Sequence, residues 1–306
     1  MSVRLCVIGS GAVGSLFAAK ALEAGFDVTR AVRQPRSGAQ QTTVKTVTLQ
    51  NDSTVSLPDT IITSDSPVDI LFDLIVIPVK VYQLKEALIQ WSHVFTNNTP
   101  ALLLQNGMGG DEIFRSVLPS VRLYQATTSH GALRQQNAVR HTGFGETLAG
   151  PATGQNRNDS ADEKVFRILG QAFPPVTRCD NIALALWQKL SVNLVINPLT
   201  ALHNIRNGQL TEPAYDAVIS SLCRETSLVM EACGYKESAD FLKNRVLRVA
   251  GATAANYSSM HQDAAHGRPL ETGAITGYLL QKAAAHHIPV PAHQSLFDAL
   301  TDRFPA

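Results

Sequence analysis

Six residues near the N-terminus, Gly9-Ser10-Gly11-Ala12-Val13-Gly14, restrict the possible folds more than any other stretch. They follow Val3–Ile8, a short apolar run that predicts a buried strand. They precede Ser15–Ala24, rich in Ala, Leu and Phe, which predicts a helix stopped by Gly25. A glycine pattern of this kind carries weight only in such a strand–turn–helix setting. There the first glycine permits a tight turn and the second lets the backbone approach a pyrophosphate. The third lets helix pack on strand, and the helix N-terminus favours the phosphate charge.

That setting predicts a Rossmann-type dinucleotide-binding domain with Gly9, Ser10, Gly11, Ala12, Val13 and Gly14 as its phosphate turn. The next β-like run, Phe26–Val32, ends in Ala31-Val32-Arg33-Gln34. No carboxylate stands there to bond a ribose 2′-hydroxyl. Arg33 can instead pair with a 2′-phosphate, assisted by Arg36, so NADP(H) is the expected coenzyme. Two further apolar runs, Leu74–Ile77 and Ala101–Leu104, read as parallel strands covered on both faces. They lead to Lys80 and to Gln105-Asn106-Gly107. Ligands of open α/β sheets bind outside the carboxyl ends of the strands, which puts Lys80 and Asn106 toward the coenzyme. Residues 121–149 look β-rich, 161–173 helical, and Pro174–Asp180 reads as an inter-domain passage. The expected domains are 1–179, nucleotide-binding, and 180–306, all-α.

From Asn181 the pattern is helical. Ile182–Ala201 is apolar around most of its axis, yet it carries Lys189, Asn193 and Asn197 at spacing i, i+4, i+8, on one face. An amphipathic surface helix should show a broad charged face. Here Lys189 is the only charge between Asp180 and His203, so the stripe reads as functional. Pro198 would weaken or bend this helix. Further helices are expected over 212–233, 241–255 and 275–287, the last closed by Ile288-Pro289-Val290-Pro291.

The composition excludes other classes. Lys and Arg number 26 against 25 Asp and Glu, which leaves no field to gather nucleic acid or an anionic membrane. No apolar run reaches the ~18 residues of a membrane helix, and no signal-peptide pattern opens the chain. The scattered cysteines, Cys6, Cys179, Cys223 and Cys233, fit reduced thiols in a cytoplasmic protein. His261, His266, His286 and His287 do not have HExxH spacing, so no metal is expected.

Taken together, the motifs resemble the ketopantoate reductase (2-dehydropantoate 2-reductase) family along nearly the whole chain. The matching pieces are the glycine turn, Val79-Lys80-Val81-Tyr82-Gln83 and Gln105-Asn106-Gly107-Met108-Gly109. The second half adds Trp187–Asn193, Val195–Leu202, Asn207-Gly208, Ser258–Asp263, and Gly267-Arg268 with Glu271. One departure is Leu270, where the family commonly carries Thr. The resemblance implies a helical second domain like the C-terminal domain of 6-phosphogluconate dehydrogenase. It implies NADPH-dependent reduction of ketopantoate to (R)-pantoate, a step toward pantothenate and coenzyme A. It further implies roles: Lys189 as general acid, and Glu271 orienting it around the reacting oxygen and contacting coenzyme. Asn106, Asn193, Asn197, Asn207 and Ser259 would hold substrate. The glycine turn, Arg33, Lys80, Gln83 and Asn106 would hold NADPH.

The chemistry of hydride addition agrees. Negative charge develops on the carbonyl oxygen, and a cationic donor there both stabilises it and supplies the proton. The apolar surroundings of Lys189 should lower its pKa, and Glu271 should oppose that shift. Two rivals stay open: a reductase of another small 2-keto acid, and a non-catalytic NADPH-sensing module, which would need neither Lys189 nor Glu271. Monomer and homodimer are not separated by sequence.

Overall fold

The structure, a computed structural model, describes residues 2–32, 43–58, 61–62, 70–155 and 159–305. Arg33 and Arg36 lie outside the described residues. Contacts divide the chain into two compact units, Met1–Gln105 with Gly110–Ala183, and Asn106–Gly109 with Leu184–Ala306. The last break thus falls within the helix that begins at Ile182, and four residues that follow a sheet strand go with the helical unit.

In the first unit, the strands in chain order are β1 (Arg4–Ile8), β2 (Asp27–Ala31), β3 (Thr46–Thr48), β4 (Thr54–Ser56), β5 (Ile61–Ile62) and β6 (Leu74–Ile77). They continue as β7 (Ala101–Leu104), β8 (Leu123–Thr128), β9 (Gly131–Gln135), β10 (Ala138–Gly143), β11 (Thr147–Pro151) and β12 (Val176–Arg178). The main sheet has the order β12-β11-β8-β7-β6-β1-β2-β5. β1 pairs parallel with both β2 and β6, so the strand order reverses beside it. This is the switch point at which open α/β sheets bind ligands. β1, β6 and β7 are almost entirely buried, as their unbroken apolar runs require. The helices of this unit are α1 (Ala12–Glu23), α2 (Val81–Gln90), α3 (Gly110–Val117) and α4 (Asp159–Ala172). A second sheet, β4-β3-β10-β9, joins the core of α1 through Val47 and Val139. The stretch 174–180, expected as a passage between domains, contains β12, which pairs with β11 at the sheet edge.

The second unit contains α5 (Ile182–His203, less its first two residues), α6 (Asp216–Ala232), α7 (Ala239–Ala252), α8 (Ser259–Ala265), α9 (Tyr278–Ala285) and α10 (Pro291–Arg303). α5 runs on through Pro198 and is 22 residues long. By length and composition it is apolar enough to cross a membrane, contrary to the expectation from its sequence, but most of it is buried inside the protein. It is a core helix: Trp187, Leu194 and Val195 are at most 1% exposed. α10 appears where the sequence suggested an end. Pro291 occupies its first turn, a position where a missing N–H costs nothing. Glu225 of α6 supplies the cap, accepting the N–H groups of Ala292 at 2.8 Å and His293 at 3.0 Å.

Candidate functional site

The glycine turn lies at the carboxyl end of β1, and its glycines differ in what they permit. Gly9 has φ +115°, a left-handed conformation that favours glycine, and its N–H donates to the Ala31 carbonyl at 2.9 Å. A side chain at Gly14 would place its Cβ 2.5 Å from Pro78 Cγ, so glycine lets α1 lie against the end of β6. At Gly11 a Cβ would meet nothing within 4 Å. Gly11 is the N-cap of α1, with no side-chain cap and no acidic residue in the first turn. An open approach, backbone N–H groups at a helix N-terminus and no competing carboxylate are what a pyrophosphate requires. The residues of this turn therefore fit a dinucleotide.

Lys80 caps α2, immediately beyond β6, with its Nζ 5.8 Å from the centre of the Tyr82 ring. The Gln83 N–H donates to the Lys80 carbonyl at 2.9 Å, so both belong to one turn at the sheet's carboxyl edge. Gln105, which the sequence did not single out, braces that edge. Its Nε2 donates to the Val79 carbonyl at 2.7 Å and joins the ends of β6 and β7.

In the second unit Lys189 stands on an otherwise apolar helix. The side chain keeps some solvent contact, but enough protein surrounds the ammonium to push its pKa from 10.5 down to about 8. Burial is the cause, and the carboxylate of Glu271 opposes it. Glu271 is 8% exposed. Asn197, two turns along α5 from Lys189, is 6% exposed, and Asn193 between them is partly exposed. Neither amide has a hydrogen-bond partner among the described residues, although buried amides normally find one. A polar molecule with several oxygens can provide it.

Asn106 belongs to this unit through the segment Asn106–Gly109. The Met108 N–H donates to the Ala274 carbonyl at 3.0 Å, in a π-turn, Gly273–Gly277, just beyond Glu271. Gly107 has φ +80°, and a Cβ there would lie 2.7 Å from the same carbonyl oxygen. Glycine is needed on both counts, and the result is to tie Asn106 to the turn that follows Glu271.

Two further residues have substrate roles implied by the family resemblance. Asn207 is 6% exposed and its Nδ2 donates to Thr253 Oγ1 at 2.9 Å, while its N–H donates to the Asn256 carbonyl. Its amide thus holds a loop, and only Oδ1 is left buried without a partner. Ser259 is exposed at the start of α8. Its neighbour Ser258 is the residue fixed in place, accepting from the His261 N–H at 3.1 Å and from the Thr200 hydroxyl at 2.7 Å. The N-cap spacing of Ser258 was the available signal for this role.

A family model described as ketopantoate reductase PanE/ApbA matches residues 5–154, and its C-terminal counterpart matches residues 181–303. The 2-dehydropantoate 2-reductase of Vibrio cholerae is 38% identical over 97% of this chain and 97% of its own. That of Escherichia coli O157:H7 is 36% identical over 97% of this chain and 93% of its own. A D-mandelate dehydrogenase solved with NADH and anilino(oxo)acetate shares the fold, with a TM-score of 0.87 at 21% identity and 98% of each chain covered.

Proposed function

The chain belongs to the ketopantoate reductase family, and from that premise we propose that it reduces the C2 ketone of 2-dehydropantoate to (R)-pantoate with NADPH. One observation carries the reading: a single lysine on a buried helix, its pKa brought to about 8, beside a carboxylate and two unpartnered amides. NADPH, when bound, supplies the hydride. The remaining chemistry belongs to the chain. Lys189 holds the proton that the carbonyl oxygen takes up, and its positive charge stabilises that oxygen as charge develops on it. A pKa of about 8 leaves it mostly protonated at neutral pH while making the proton easier to release than from an ordinary lysine. Glu271 keeps the proton on Lys189 until substrate arrives, and contacts coenzyme as well.

Asn193 and Asn197 bind the substrate's carboxylate and hydroxyl oxygens, and the same reading assigns Asn106, Asn207 and Ser259 to substrate. The glycine turn, Lys80, Gln83, Asn106 and Arg33 hold NADPH. The same reading makes this a cytoplasmic biosynthetic enzyme with a small-molecule substrate and neither nucleic-acid nor membrane partner. It works as a monomer or a homodimer, which sedimentation distinguishes.

A second reading, a reductase for a different small 2-keto acid, is favoured by one residue. Leu270, next to Glu271, packs its apolar side chain on the core of the second unit where the family commonly has Thr. NADPH oxidation measured with ketopantoate and a panel of 2-keto acids tests both. Preference for ketopantoate is expected, and turnover of another keto acid at higher kcat/KM overturns the assignment. Arg33→Ala is expected to lower the preference for NADPH over NADH in the same assay.

A further inference from the structure

One cation next to the glycine turn has no part in the reading above. Arg134 lies on β9, and its Nη1 donates to the Ser10 carbonyl at 3.3 Å, across 124 residues of chain. Its Nε donates to the Gln136 carbonyl at 3.1 Å, which sets the plane of the guanidinium. Strand alternation explains the direction. Arg134 pairs with Val139, which is 1% exposed and packs in the core that includes α1. Ala132, two residues earlier on the same face, packs there too. Arg140, on the opposite face of the hairpin, has a side chain 59% exposed. The sheet geometry thus turns Arg134 toward α1 and the turn before it.

We propose that Arg134 is a phosphate-binding residue of the coenzyme site, acting on the pyrophosphate and not on the 2′-phosphate. This rests on the NADPH reading. Ser10 belongs to the turn whose glycines and helix N-terminus face a pyrophosphate, with open space at Gly11. A guanidinium next to backbone N–H groups presents a fixed fork of donors to phosphate oxygens. The proposed function assigns the 2′-phosphate to Arg33. The charge of Arg134 therefore acts on a group common to NADPH and NADH, and it sets affinity without setting coenzyme choice.

Binding is measured by the fluorescence of reduced nicotinamide, without substrate, for the natural protein, Arg134→Ala and Arg134→Lys, with NADPH and with NADH up to saturation. Arg134→Ala is expected to raise Kd for both coenzymes by about tenfold, the scale of one charge-assisted hydrogen bond. Arg134→Lys should recover part of that loss. Added salt should weaken the natural protein more than Arg134→Ala. In turnover, KM for NADPH should rise with kcat unchanged, the mark of uniform binding. Loss confined to NADPH, or no loss, overturns the proposal. So does equal loss in Ala and Lys variants together with a lower ligand-free Tm, which marks a structural role. If the natural protein binds neither coenzyme, the functional reading falls and Arg134 with it. If it binds and Arg134→Ala binds equally well, Arg134 alone is refuted.

Discussion

Two polar systems inside the second unit, one around Glu225 and one around Asn197, are built on side chains of similar burial and differ in completeness. On α6 and α10, Glu225 accepts two backbone N–H groups and the Nδ1 of His293, at 2.9 Å, a side chain with no solvent exposure. On α5, Asn193 and Asn197 have no protein partner among the described residues, and Lys189 has lost part of its hold on its proton. A satisfied network locks helices together. Amides left without a protein partner can instead bond a polar ligand. Burial alone does not separate scaffold from site, but an accounting of hydrogen-bond partners does.

That contrast can be tested from both sides. Lys189→Ala should lower kcat by ~100-fold or more while NADPH still binds, the usual scale for loss of an acid catalyst. Near-normal turnover in this variant would remove Lys189 from the mechanism. Glu225→Ala should act in the opposite sense, destabilising the fold by about 2–3 kcal/mol in chemical denaturation by leaving buried donors unpaired. The fraction still folded should keep its kcat/KM, and a selective loss of activity would erase the distinction. Asn193→Ala and Asn197→Ala should each raise KM for the keto acid by roughly tenfold, about one hydrogen bond to a charged group, with little change in Tm.

The pH dependence should divide in the same way. With Lys189 as the proposed acid, kcat should fall as pH rises through about 8. Because the folded pKa lies below the ordinary 10.5, the folded state holds this proton less tightly than the unfolded chain does. At neutral pH the lysine therefore opposes folding, and Lys189→Met should raise Tm by a few degrees while removing activity. For Glu225, burial pushes the carboxyl up, but hydrogen bonds from His293 and from two backbone N–H groups bring it below the usual value. Burial also holds His293 below 6.5, with Glu225 opposing. In the first unit burial, with nearby His141 and Lys20, pushes His130 down to about 4. All are depressed, so their contribution is complete above the unfolded pKa and lost as pH falls toward the folded one. Thermal melts should show stability declining below pH 6.5, and for His130 the decline should continue to about pH 4.

What the sequence disclosed depended on the range of the interactions involved. The glycine turn was legible because its demands are set within a few residues: a positive φ at Gly9, and an open approach at Gly11 to the first turn of the helix that follows. The stripe on α5 was legible because one helical period lines up Lys189, Asn193 and Asn197. β3 and β4 were not foreseen, since strands of three residues show no periodicity. α10 was missed because Pro291 reads as a stop unless its cap is known, and that cap, Glu225, lies 67 residues back from Ala292. Arg134 was missed for the same reason, its partner Ser10 being 124 residues away.

The bond from Met108 to Ala274 bears on how such chains can be recombined. A hybrid enzyme joined at Ala183 and Leu184 would exchange the helical half but keep the recipient's own Asn106–Gly109, which packs with that half. The module inherited as a whole is therefore discontinuous, and grafting a new substrate preference onto this coenzyme domain calls for two crossovers flanking a four-residue insert as well as the obvious junction.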